Sequence, residues 1–132
     1  MKILLDTHIA IWSLLDSPKL TQKARNLIMD PDHTIYYSVI SVWEVLLKHA
    51  AHPDSIDLTP ELFSESCREA GFVPLALSDK QILTVNTFHP IVDGHKDPFD
   101  RLLLAQAKTE NMSFLTNDSK ILLYRERCVI SQ

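Results

Sequence analysis

The sequence predicts a three-layer α/β fold with a central parallel sheet, on the strength of three observations. Short apolar or β-branched runs, such as Lys2–Leu5 and Thr34–Ser38, alternate along the chain with segments of helical spacing. That alternation implies right-handed β-α-β crossovers, and therefore parallel strands. Acidic residues also recur at or just inside the starts of the predicted helices, where ligands bind in such sheets.

The elements follow in order. Lys2–Leu5 (KILL) has the character of a strand buried on both faces, ended by Asp6. A helix over His8–Leu15 follows, broken by Asp16-Ser17-Pro18, and a second over Thr21–Met29, stopped by Asp30-Pro31-Asp32. Thr34–Ser38 (TIYYS) is a strand, and Ser41-Val-Trp-Glu44 opens a helix reaching Ala50, with a loop over His49–Ser55. Thr59–Ala70 is a helix with Pro60 at its first position and Gly71 at C′. Phe72–Leu75 is a short strand, Ser78–Phe88 a helix and Pro90–Gly94 a loop. In His95–Ala107 (HKDPFDRLLLAQA), Asp97 caps a helix that starts at Pro98 and runs to Glu110, and Asp100 projects from its first turn. A strand at Ser113–Leu115, the run Thr116-Asn117-Asp118, a short helix over Ser119–Tyr124 and a strand near Cys128–Ile130 complete the chain.

The 132 residues are expected to form one domain, residues 1–132. An apolar fraction of 45% is ordinary for a globular protein, and only two glycines argue against a disordered chain. The net charge of −4 provides no global basic field, so any nucleic-acid contact must come from local patches. Cys67 and Cys128 lie too far apart in sequence for a metal or redox motif and read as free thiols of a reducing compartment. The longest apolar stretch, Val39–Leu47, is interrupted by Glu44, and the N-terminal apolar run is too short for a signal peptide. No membrane is expected as a partner, and the expected location is cytoplasmic.

Asp6, Glu44, Asp97 with Asp100, and Asp118 admit two readings. Each is placed to cap a helix, and Ser41-x-x-Glu44 has the form of a capping box. Alternatively, a parallel sheet brings them to one edge as an acidic cluster. Clustered carboxylates repel and raise one another's pKa, so a fold that keeps them together is suited to a divalent cation. An all-oxygen donor set favours hard cations, Mg²⁺ or Mn²⁺, which activate water for phosphodiester cleavage.

Four separated motifs then resemble a known family. Leu4-Leu5-Asp6-Thr7-His8 with Trp12, Ser41-x-Trp43-Glu44, Asp97-Pro-Phe-Asp100-Arg-Leu-Leu-Leu-Ala105-x-Ala107 and Leu115-Thr116-Asn117-Asp118 resemble a PIN domain, most closely the VapC-type toxin ribonucleases. The resemblance implies an α/β/α fold and a Mg²⁺- or Mn²⁺-dependent endoribonuclease acting on RNA, neutralised by a small antitoxin. It also implies that Asp6, Glu44, Asp100 and Asp118 are the catalytic and metal-binding acids, the family register selecting Asp100 over Asp97. Asp97, Thr116, Asn117 and Arg101 take supporting places. Two departures stand out. His8 occupies a position where many family members have Asn, and Lys48-His49-Ala50-Ala51-His52-Pro53 replaces a Gly-Lys-Leu-like turn.

Lys48, Lys96 and Arg101 neighbour the acids and are candidates for phosphate contacts, set against solvated surface charge. The six histidines show no i, i+4 pairing, so no zinc site is expected. Trp12 and Trp43 read as core or interface aromatics rather than stacking platforms. Apolar faces on the first two helices suit a homodimer or an antitoxin helix. Two other function classes compete: a phosphoryl-transfer or receiver-like domain with Asp6 as acceptor, and a non-enzymatic interaction module whose acids are only caps.

Overall fold

The computed structural model describes residues 1–88 and 97–132, so the expected Pro90–Gly94 loop, with His95 and Lys96, lies outside the described residues. The strands β1 (Lys2–Leu5), β2 (Thr34–Ser38), β3 (Val73–Leu75), β4 (Ser113–Thr116) and β5 (Val129–Ser131) form one parallel sheet in the order β3-β2-β1-β4-β5. β1 is central, pairing Ile3 with Ile35 of β2 on one side and with Ser113 of β4 on the other. Pro74 falls in β3, at the edge of the sheet, where a missing N–H is tolerated.

Strand alternation divides the core into two. Ile3, Leu5, Ile35, Tyr37 and Leu115 face a cluster completed by Ile9 of α1 (Thr7–Leu14), Ala24 of α2 (Gln22–Met29), and Phe63 and Cys67 of α4 (Pro60–Glu69). Leu4 and Phe114 point the other way, against Leu103, Leu104 and Ala107 of α6 (Pro98–Thr109). The helix α3 (Val39–Ala51) touches both clusters, through Val45 and Ile40 respectively. This is the expected three-layer arrangement. β1 leads into α1, β2 into α3 and β4 into the 118–124 segment, so those helix starts share one sheet edge.

Most boundaries agree with the sequence to within a residue or two, and the differences have local causes. α4 ends on Gly71 at φ +86°, with the Gly71 and Phe72 amides donating to Arg68 and Cys67 carbonyls (both 2.9 Å). α3 begins two residues earlier than expected, because Ser38, still extended at φ −94° and ψ 148°, is the N-cap and its Oγ accepts from the Ile40 amide (3.0 Å). Ser41 and Glu44 therefore lie inside the helix, and the capping-box alternative is excluded. The segment expected as a helix over Ser78–Phe88 is a short helix α5 (Asp79–Thr84), with a Ser78/Gln81 capping box, followed by a 3₁₀ turn over Val85–Thr87. Ser119–Tyr124 likewise contains only a 3₁₀ turn, Ile121–Tyr124.

A buried amide chain fixes α6 relative to the sheet. Ser38 Oγ donates to Gln106 Oε1, and Gln106 Nε2 donates to Gln81 Oε1 (3.1 Å) and the Ala76 carbonyl (3.3 Å). Gln81 Nε2 continues to Glu110 Oε1 at 2.9 Å. Gln106 is 0% exposed, so removing its amide strands buried partners. Gln106→Leu is expected to cost about 1–3 kcal/mol in urea unfolding; an unchanged midpoint would show that the chain contributes nothing net.

Candidate functional site

The sheet order sets the location of the site. From β1 the chain steps outward to β2 and β3, then returns to the other side of β1 as β4, so the topological switch point lies between β1 and β4. Asp6 follows β1, and Thr116, Asn117 and Asp118 end or follow β4. These segments are tied together: the Asp6 amide donates to the Leu115 carbonyl (2.9 Å) and Thr116 Oγ1 donates to Asp6 Oδ2 (2.6 Å).

A cleft of about 780 Å³ opens here, lined by Asp6, Glu44, Asp97, Asp100, Asn117 and Asp118 together with His8 and Lys48. Asp6 is the N-cap of α1 and is 3% exposed; its Oδ1 accepts the Thr7 amide (2.7 Å) and its Oδ2 the Thr116 hydroxyl. Asp97 caps α6, accepting from the amides of Phe99 (2.9 Å) and Asp100 (3.4 Å). Asp100 extends from the first turn of that helix. Asp118 takes the Lys120 amide on Oδ1 (2.8 Å), and its own amide donates to Thr116 Oγ1 (3.0 Å). One threonine hydroxyl thus positions both Asp6 and Asp118.

Six of the eight sequence-predicted residues line the cleft, and Thr116 stands immediately behind it. Arg101 does not line it. The Arg101 side chain is half-buried, and its Nε is buried without a hydrogen-bond partner. Lys96 lies outside the described residues. Sequence reasoning did not identify the hydroxyl pair beneath the site, Thr7 Oγ1 donating to Ser41 Oγ at 2.8 Å. Nor did it identify the Lys48 bridge, whose ammonium donates to Glu44 Oε2 (3.1 Å) and to His8 Nε2 (3.2 Å). The i, i+4 spacing of Glu44 and Lys48 on one helix was the available signal. Because an ammonium can only donate, His8 accepts on Nε2 and carries its proton on Nδ1. Desolvation of the His8 ring, followed by the Lys48 charge, holds the imidazole below its ordinary pKa.

The electrostatics are those of crowded negative charge. Burial pushes the Asp6 carboxyl up to about 6 against the lowering effect of its two hydrogen bonds, and Glu44 and Asp118 add repulsion. Asp100 is held well above the usual carboxylate range by burial, then by Asp6, by a side-chain hydrogen bond with Asp118 and by Asp97. Glu44 is 5% exposed, and its Oε1 is buried with no hydrogen-bond partner among the described residues.

This donor set fits a divalent cation: all oxygen, more acids than cations on the walls, and an orphaned buried acceptor. Among the described residues, no three His, Cys, Asp or Glu side chains are closed up into a ready metal cage. Apart from Glu44 Oε1, the carboxylates take their partners from Thr7, Thr116, Lys120, Lys48, the first amides of α6 and one another. Also among the described residues, no helix is long and apolar enough to cross a membrane.

Comparison with known proteins agrees with this geometry. The sequence pattern of the PIN domain matches residues 3–126. No curated protein matches by sequence. Among solved structures, VapBC2 from Rickettsia felis bound to a promoter DNA fragment superposes with a TM-score of 0.67 at 17% identity, covering 100% of this chain and 98% of that one. VapBC-1 from nontypeable Haemophilus influenzae gives 0.60 at 16% identity, covering 100% and 97%. FitAcB from Neisseria gonorrhoeae gives 0.60 at 20% identity, covering 97% and 96%. At these identities the likeness is one of fold.

A pH dependence follows from the crowded acids. A carboxyl raised to about 6 in the folded chain, against about 4 unfolded, binds more protons when folded, so its stabilisation is complete below pH 4 and lost as pH rises through 6. The raised Asp100 extends that loss to higher pH. The lowered His8 imidazole works the other way, adding stability as pH rises toward its ordinary value. It is one group against two, so the metal-free protein is expected to melt at lower temperature at pH 8 than at pH 5, with a saturating divalent cation flattening the slope. A melting temperature that rises over that interval would contradict the assignment.

Proposed function

The chain belongs to the PIN domain family, and from that premise we propose that it is a divalent-metal-dependent endoribonuclease, the toxin of a toxin–antitoxin pair. PIN domains are nucleases. The observation that carries the reading is the meeting of Asp6, Glu44, Asp100 and Asp118 in one cleft, on segments far apart in sequence, with a buried Glu44 oxygen left unpaired. Helix capping does not account for it. Glu44 lies inside α3, and Asp100 lies one turn beyond the residue that caps α6.

In this proposal Asp6, Glu44, Asp100 and Asp118 hold Mg²⁺ or Mn²⁺. Such an ion supplies an activated water and stabilises the charge that develops on the cleaved phosphodiester. The chain's own residues organise the site. Thr116 and the Thr7 amide orient the Asp6 carboxylate, Thr116 also holds the Asp118 backbone, and Lys48 steadies Glu44. Such supporting partners typically change metal affinity or activity 10- to 100-fold. Asp97 fixes the first turn of α6, and through it Asp100.

The competing use of Asp6 as a phosphoryl acceptor fits less well, because both its oxygens are engaged and it is almost fully buried. An antitoxin partner is supported by the VapBC and FitAcB structures among the neighbours. An exposed apolar stripe on α3, Val39, Trp43, Leu46 and Leu47, suits a protein partner or a second copy of the chain. A cytoplasmic location accords with an RNA substrate.

Cleavage of single-stranded RNA in the presence of Mg²⁺ or Mn²⁺ tests the reading. Asp6→Asn and Asp100→Asn should each reduce the rate by at least about 100-fold while leaving the circular dichroism intact; parental rates in both would refute it. Asp97→Ala separates the two acids of α6. It should lose about 1 kcal/mol of stability as a missing cap while retaining measurable cleavage. Complete inactivity in a fully stable Asp97→Ala protein would instead place Asp97 among the ligands.

A further inference from the structure

A second cleft of about 590 Å³ adjoins the acidic one and shares His8, Lys48 and Asn117 with it. Trp12, Lys19, Ser55 and Asp57 line it and do not line the acidic cleft. The Trp12 ring is half-buried, packed on one side against the first core cluster. Its centroid lies 6.0 Å from that of His8, and Lys19 Nζ lies 5.9 Å from it. The sequence reading of Trp12 as a core aromatic accounts for the packed side but not for the side in the cleft.

From this arrangement we infer that the His8–Trp12–Lys19 cleft is the subsite for a nucleotide flanking the scissile phosphate of single-stranded RNA. The inference rests on the nuclease reading of the adjacent acidic cleft. A polyanion approaching a chain of net charge −4 through a carboxylate-lined cleft is repelled unless local cations hold its backbone. Lys48 stands at the junction of the two clefts, and the flexible Lys19 side chain carries its ammonium over the indole, a place it yields to a stacking base as it turns to the phosphate. Cations tracking a phosphate backbone beside an aromatic face are the elements of single-strand binding. Asp57 and Ser55 complement them: their oxygens accept hydrogen bonds from a ribose 2′-hydroxyl or an exocyclic amine, and Asp57 repels phosphate. Lys19 and Lys48 therefore hold the backbone, and Ser55 and Asp57 hold the nucleoside. Stacking tolerates any base, so the subsite contributes affinity and register, with RNA preferred over DNA through the 2′-hydroxyl.

The test uses the Asp100→Asn protein, so that RNA survives, with Trp43→Phe, so that Trp12 is the sole indole. Short single-stranded RNA should quench Trp12 fluorescence saturably, and matched DNA should bind more weakly. Lys19→Ala should weaken RNA binding about 10-fold and reduce the magnitude of the salt slope by about 0.7, with Lys19→Arg restoring both. Trp12→Leu should weaken binding about 10-fold and Trp12→Phe less, since a phenyl face still stacks. RNA binding without Trp12 quenching, or unchanged affinity in both Lys19→Ala and Trp12→Leu, would overturn the subsite. If the parent chain still cleaves RNA in an Asp100-dependent manner, that failure leaves the nuclease reading standing. A parent chain that neither binds nor cleaves RNA would overturn both.

Discussion

The hydrogen bond from Thr116 Oγ1 to Asp6 Oδ2 holds together the part of the molecule on which the rest depends. It joins the ends of β1 and β4 at the point where the sheet changes direction. There the helix starts supply amide donors, and the strand ends leave a crevice. The same hydroxyl accepts the Asp118 amide, so one side chain sets the relative positions of two acids separated by more than a hundred residues. Burying Asp6 beside Glu44, Asp100 and Asp118 costs free energy, visible in carboxyls displaced well above their ordinary range. The two apolar cores on either side of the sheet supply the stability that keeps such an arrangement folded.

Other polar features serve the same end. The Thr7–Ser41 hydroxyl pair lies under the acids and links the first turns of α1 and α3, which carry Asp6 and Glu44. The Gln106–Gln81 chain anchors α6 to the end of β2, and α6 presents Asp97 and Asp100. Each contact is buried and satisfied, which makes it geometrically specific. Glu44 Oε1 is the exception: a buried acceptor with no donor is costly in a folded chain. Such an atom is readily explained where a cation completes the site.

Much of this was legible in the primary structure because period and punctuation are local. KILL and TIYYS announce strands, Thr59-Pro60 and Gly71 bracket a helix, and Asp97-Pro98 starts another. The four acids were identifiable because each stands where a parallel α/β fold converges. The misread boundaries were those where a capping residue competed with an alternative nearby. Ser38, at the end of β2, caps α3 in place of Ser41, since the helix starts as soon as the strand releases the chain. The Ser78–Phe88 segment tightens into a 3₁₀ turn after Thr84, which helical spacing alone does not distinguish from continued α-helix.

The sequence by itself determined the fold class and the order of strands and helices, and it singled out the acids that meet in the cleft. These depend on hydrophobic period, turn residues, the handedness of crossovers and the spacing of motifs. Only the tertiary structure decided which residues serve those acids. Lys48 bridges Glu44 and His8, Thr7 meets Ser41, Thr116, already a supporting candidate in the sequence, joins Asp6 to the Asp118 amide, and Arg101 is not among the residues that line the cleft. Apart from the i, i+4 pair of Glu44 and Lys48, those partnerships join residues as far apart as 110 positions, through side-chain directions that no local pattern encodes. Packing also set Trp12 between the apolar core and a cleft shared with His8 and Lys19, a distinction that exists only once the helix lies against the sheet.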